Sequence, residues 1–188
     1  MSEDKAICFI SFISRDDQPL YIQSFDKTND EGTSGSNEGE MNKFLKYNFL
    51  SHMALDIITS PASLSIRQNQ SNSDSILLLI QDDVSVYGYE TNTGIKIIIG
   101  FDNLVSAKQG DVNQLVKSVY KNYIKAVCNP FGEESTNVLQ TPSFDKSIAK
   151  IVNQWNELKL KQQPKQEVSN PEDKVEEEKN PAPEPSAN

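Results

Sequence analysis

The chain has 188 residues, enough for one domain with a substantial core plus extensions. Its formal charge of −9 and pI ≈ 4.7 give it no overall basic field for a nucleic-acid backbone or for polybasic attachment to a membrane, so neither is an expected partner. The two cysteines, Cys8 and Cys128, have neither a zinc-site spacing nor the pattern of a disulfide framework, which suits a reducing, cytoplasmic setting.

The chain opens on the acidic "MSEDK", followed by the apolar run "AICFISFI" (6–13). A signal peptide needs a basic flank and a small-residue cleavage site, and this segment has neither. No apolar stretch approaches the roughly 18 residues of a membrane span, and the terminal "EPSAN" is not a prenylation box. A soluble protein is expected, with any membrane contact indirect.

"KAICFISFIS" (5–14) is apolar at both alternating sets of positions, the mark of a central strand covered on both faces. Simple alternation sends Ala6, Cys8, Ile10 and Phe12 one way, and Ile7, Phe9 and Ile13 the other. "RDDQP" is a turn and "LYIQSF" (20–25) the return strand of a hairpin. The polar, glycine-containing stretch 26–40 reads as a disordered loop insertion. "NKFLKYNFLSHMALDIITS" (42–60) then has helical spacing, with Phe44, Tyr47, Ala54, Leu55 and Ile58 on one face. Leu45, Phe49, Met53 and Ile57 spread onto another, an apolar arc wider than one sheet contact requires.

Three strands follow a polar loop: 76–81, 84–91 and 95–102, joined by "DD" and "NTG". Turns this short join antiparallel neighbours, so the three form a meander. Asp111 is the expected N-cap of the next helix, with Gln114 in capping-box position. That helix carries Val112, Leu115, Val116, Val119, Tyr123, Ala126 and Val127 in one stripe. Pro130 drives Asn129 out of the α region and stops it; Phe131 is the expected anchor of the corner, and Cys128 a small packed residue in the last turn. A final helix from "TPSFD", with Ser143 as cap, aligns Phe144, Ile148, Ile151, Val152, Trp155 and Leu158. From 162 to 188 the chain is proline-rich and acidic and is expected to be a disordered tail behind a domain of residues 1–161.

The order ββα–βββ–αα points to an α/β fold: a five-stranded antiparallel sheet with one helix on one face and two on the other. In that arrangement the one histidine, His52, lies on the sheet face opposite Cys128, which removes the base that a cysteine nucleophile needs. His52 and Asp56 are one helical turn apart and lack further ligands, so a hydrogen bond on the helix surface is expected and not a metal site. The glycines form no phosphate-cradling loop, and the Lys117, Lys121 and Lys125 row reads as a solvated face. Neither catalytic nor cofactor-binding residues emerge. The outer side of the first helix is either capped by loops or offered to another protein.

"FLSHMALDII" (49–58), "YIKAVCNPFGEES" (123–135), "SFDKSI" (143–148) and "VYGYETNTGIKIIIGFD" (86–102) together resemble the sedlin family of TRAPP-complex subunits, in particular its TRAPP subunit 2-like branch. The resemblance covers most of residues 5–155. It implies a longin (SNARE-like) fold and a non-enzymatic subunit of a vesicle-tethering complex at Golgi membranes. Its partners would be other TRAPP subunits, with a Rab-type GTPase reached only through the complex. The alternative is a longin-domain trafficking adaptor or SNARE-regulatory protein outside TRAPP. His52, Leu55 and Asp56 match the family's first-helix pattern, and Asn129, Pro130 and Phe131 its Asn-Pro-Phe. The expected interface set is Leu45, Phe49, Met53, Asp56 and Ile57.

Overall fold

Strands dense in isoleucine and phenylalanine need cover on both faces, and helices supply it. A computed structural model describes residues 6–25, 36–63, 65, 75–103, 107–129 and 139–162. The elements are β1 (Ile7–Ile13), β2 (Pro19–Ser24), α1 (Ser36–Ile58), β3 (Ile76–Gln81), β4 (Val84–Glu90), β5 (Lys96–Asp102), α2 (Gln109–Val127) and α3 (Pro142–Gln162). The strands form one antiparallel sheet in the order β2-β1-β5-β4-β3. This is the expected α/β architecture, consistent with a longin-like fold.

β1 and β5 lie side by side at the centre, with Ile10 opposite Ile99 and Phe12 opposite Ile97. On one face α1 buries Tyr47, Leu50, Ala54, Leu55 and Ile58 against Phe9, Val84, Val86 and Ile98. Phe9 stacks on Tyr47 with ring centroids 5.0 Å apart. A buried hydrogen bond of 2.6 Å joins Ser11 to Ser51 in the same layer. On the other face Phe12 meets Tyr123 of α2 at 5.5 Å and Phe144 of α3 at 5.8 Å. Asp111, near the start of α2, pairs with Lys159, near the end of α3, so the two helices run antiparallel.

The hairpin turns follow from their residues. Asp82 and Asp83 both have positive φ (48° and 64°), the requirement of a tight two-residue turn whose twist matches the strands. Asp17 (φ 59°) sits in the β1–β2 turn and carries an ion pair of 2.5 Å to Lys96, whose side chain is buried. Gly94 (φ 85°) makes the β4–β5 turn directly against the Arg15 side chain. The turns β1–β2 and β4–β5 are thereby fastened to each other.

Several local expectations change. Ile7 pairs with Phe101 and Phe9 with Gly100, so Cys8 occupies a bulge. The extra residue reverses the alternation: Ile7 joins Ile10 on the α2–α3 face, and Cys8 joins Phe9 under α1. α1 begins at Ser36, inside the stretch read as a loop insertion. Phe44 is 42% exposed, and Leu50 is the core residue of that part of the helix. α2 starts at Gln109 with Lys108 in the cap position, so Asp111 is a first-turn residue facing Lys159 and not the cap. α3 is capped by Thr141, whose Oγ1 accepts the Phe144 N–H at 3.3 Å, with Pro142 as its first helical residue in place of a Ser143 cap. Val127 and Leu158, at the far ends of their stripes, are exposed. Residues 26–35, Pro130, Phe131 and the tail from 163 lie outside the described residues.

A Cβ at Gly100 would overlap the edge of the Phe9 ring and lie 3.1 Å from a Val84 methyl. Gly100→Ala therefore destabilises the fold by about 1–3 kcal/mol, seen as a lower denaturation midpoint at unchanged slope. Asp17→Asn tolerates the positive φ but leaves the Lys96 charge buried without its carboxylate. Its loss of stability exceeds that of the double variant D17N/K96M, and equal losses in a thermal melt would show that the pair does not matter.

Candidate interaction surface

The chemistry-bearing residues do not converge. His52 and Asp56 are both exposed on α1, and no hydrogen bond joins them among the described residues, contrary to the local bond expected from their spacing. Cys128 is also exposed, where packing in the last turn was expected; its N–H bonds to the Ile124 carbonyl at 2.9 Å and closes α2. His52 and Cys128 belong to helices on opposite sides of the sheet. Among the described residues no group of three or more His, Cys, Asp or Glu could hold a metal ion. Burial, together with a hydrogen bond to Asp145, pushes the Tyr21 phenol above its ordinary range. That hydroxyl donates to Asp145 Oδ1 at 2.8 Å and so ties β2 to α3 as a neutral donor.

What the fold does expose is apolar surface. Leu45 and Phe49 are each 58% exposed, while Met53 and Ile57 are half-buried. The four stand at four-residue intervals and form one ridge of α1. Four residues overshoot a helical turn, so the ridge winds about the axis as it advances. It starts in solvent at Leu45 and turns toward the sheet by Ile57, which accounts for the falling exposure. Asp56 is exposed beside it. Lys46, next to Leu45, reaches the Asp82 carbonyl at 3.2 Å, so this flank of α1 borders the β3–β4 turn.

The structure adds exposed apolar groups that the sequence reading did not assign. Met41 and Phe44 extend the outer surface of α1 toward its N-terminus. Leu77 and Ile80 of β3 are 44% and 58% exposed. They stand opposite Tyr87 and Ser85, hence on the α2–α3 side of the sheet, while Leu78 and Leu79 pack under α1. No signal in "ILLLIQ" marked this: the strand ends the strand order and has only β4 as a neighbour among the described strands.

The family model of sedlin matches residues 12–154, from the end of β1 to within a residue of Trp155. The chain belongs to the sedlin family. It is similar to the TRAPP-associated protein TCA17 of Saccharomyces cerevisiae, at 33% identity over 65% of this chain and 78% of that protein. It also resembles the trafficking protein particle complex subunit 2-like proteins of Dictyostelium discoideum (29% identity, 79% of this chain and 97% of that one) and of Rattus norvegicus (25%, with 78% and 96%). Sedlin-family membership agrees with the motifs at 49–58, 86–102 and 143–148, which occupy α1, the β4–β5 hairpin and the start of α3.

The two cysteines give a direct check of this reading. Cys8 is buried in the β1 bulge and Cys128 is exposed at the end of α2. A thiol reagent at neutral pH labels one cysteine in the native protein, at the rate of an ordinary exposed thiol, and both after denaturation. Hyper-reactive labelling of Cys128 would reopen the case for a nucleophile.

Proposed function

We propose that this sedlin-family chain is a non-catalytic subunit of a TRAPP-type vesicle-tethering complex, acting at the cytoplasmic surface of Golgi membranes. It supports assembly or stability of the larger, late-Golgi form of that complex by binding neighbouring subunits. Guanine-nucleotide exchange on a Rab-type GTPase belongs to the assembled complex, and this chain meets the GTPase only through it. The relatives' names, a TRAPP-associated protein and trafficking-particle subunits, support the assignment.

The observation that carries the mechanism is the α1 ridge of Leu45, Phe49, Met53 and Ile57, with Asp56 alongside. Burying exposed apolar side chains contributes about 25 cal/mol per Å² of area removed from water, so two large groups more than half exposed are natural anchors. The same helix holds its opposite side in the core through Tyr47, Leu50 and Ala54. The ridge therefore sits on a rigid support, and binding there needs little ordering. Membrane contact through partners fits a chain in which no helix of the described residues is long and apolar enough to cross a bilayer.

Tagged protein recovered from cells brings down TRAPP subunits, identified by mass spectrometry. Phe49→Glu and Met53→Glu each weaken that association about tenfold or more, the loss expected when a hot-spot side chain is replaced. Phe49→Glu leaves the melting curve near that of the parent, because surface substitutions away from special contacts cost within about 0.5 kcal/mol. Recovery without any TRAPP subunit would refute the assignment. Binding that survives both substitutions would move the interface elsewhere.

A further inference from the structure

We propose that the outward face of α2 and α3 is a docking surface for this chain's own acidic segment, residues 172–178. The net charge of −9 conceals a local excess of positive charge. Lys117, Lys121 and Lys125 are exposed along α2 at four-residue spacing, and Lys146 and Lys150 are exposed one turn apart on α3. The antiparallel packing of the helices brings the end of α2 beside the start of α3: Tyr123 and Phe144 both lie against Phe12. The lysines therefore gather toward one end of the helical layer. Of the acidic residues on these two helices, Asp111 is paired with Lys159 and Asp145 accepts from Tyr21. Glu157 is exposed but stands two turns from Lys150.

The complement is in the same chain. Residues 172–178 read "EDKVEEE", with five carboxylates and one lysine. α3 ends at Gln162, and its axis runs back from there toward the lysines. At 1.5 Å per residue, Lys146 is roughly 24 Å from that end, whereas an extended chain from Gln162 to Glu172 spans up to about 33 Å. The acidic cluster therefore reaches all of the face. Tethering raises its local concentration to about the millimolar range, which favours it over free acidic ligands of similar affinity. In this bound form the segment screens the lysines from anionic surfaces. It lies across the sheet from the α1 ridge, so the two surfaces operate independently, and the inference stands or falls apart from the TRAPP assignment.

Zero-length carbodiimide coupling of the full chain at low salt tests this. The expected result is links from Glu176, Glu177 or Glu178 to Lys121, Lys125, Lys146 or Lys150, within one chain when isotope-labelled and unlabelled protein are mixed. The links are lost near 1 M salt, where the screening length falls to about 3 Å. Glu133 and Glu134 remain unchanged throughout. A variant carrying E172Q, D173N, E176Q, E177Q and E178Q sediments with phosphatidylserine-containing vesicles, and the parent does not. Coupling of the segment mainly to Lys43 or Lys46, links only between chains, or links indifferent to salt would overturn the proposal. Equal vesicle binding by parent and variant would also overturn it, and would assign the lysines to a membrane surface.

Discussion

The structure depends on the pairing of β1 with β5, the first and last strands of the sheet in sequence. Ile7, Phe9, Ile10, Phe12, Ile97, Ile98 and Ile99 are fully buried in this pair, and their side chains leave it in both directions. Two central strands without a solvent face need cover above and below, and that requirement produces the three layers. The pair also closes a long loop, because β2, α1, β3 and β4 all lie between its members. That closure carries an entropy cost, offset by the aromatic packing on both sides of the pair. Phe9 marks the tightest point: it fills the space over Gly100 on one side and stacks on Tyr47 on the other.

The two faces of that pair solve the covering problem differently, and the difference separates structure from function. α2 and α3 share one face and bury a stripe each, with Val119, Tyr123, Ile148 and Val152 in the core. Among the described residues α1 covers the other face, burying Tyr47, Leu50, Ala54, Leu55 and Ile58. Leu45 and Phe49 are not needed for the core, so their apolar character calls for a cause outside it. The proposed assembly role would supply that cause, because a neighbour buries what an isolated domain leaves in water.

The element order and the layer arrangement were legible because they rest on coarse patterns: two-sided apolar strands, turns of two or three residues, and helical stripes. What could not be read was phase. In "AICFI" every position is apolar, so nothing in the sequence marks Cys8 as the bulged residue. In α1 apolar residues occur on nearly every side, so periodicity did not distinguish Phe44, which is exposed, from Leu50, which is buried. The cap of α3 fell at Thr141 because Pro142 is suited to a first helical position, a preference that outweighed the plausible Ser143. Of the candidate surface, Leu45 and Phe49 are exposed as the wide arc implied and Asp56 is exposed beside them, while Met53 and Ile57 are half-buried because the ridge winds toward the sheet. The exposed Leu77 and Ile80 were not legible at all, because a strand's composition does not state whether it lies at the edge of the sheet.

Charge follows the same division between what a total conveys and what a position conveys. A net charge of −9 argues against a chain that is basic overall, and that inference holds for the whole molecule. It says nothing about a face only two helices wide, where electrostatic interactions decay over about 8–10 Å at moderate salt. Within that range the exposed lysines of α2 and α3 see one another far more than they see carboxylates across the sheet. The protein can therefore be acidic as a solute and locally basic on one surface. The proposed docking of residues 172–178 would reconcile the two without any change in the fold.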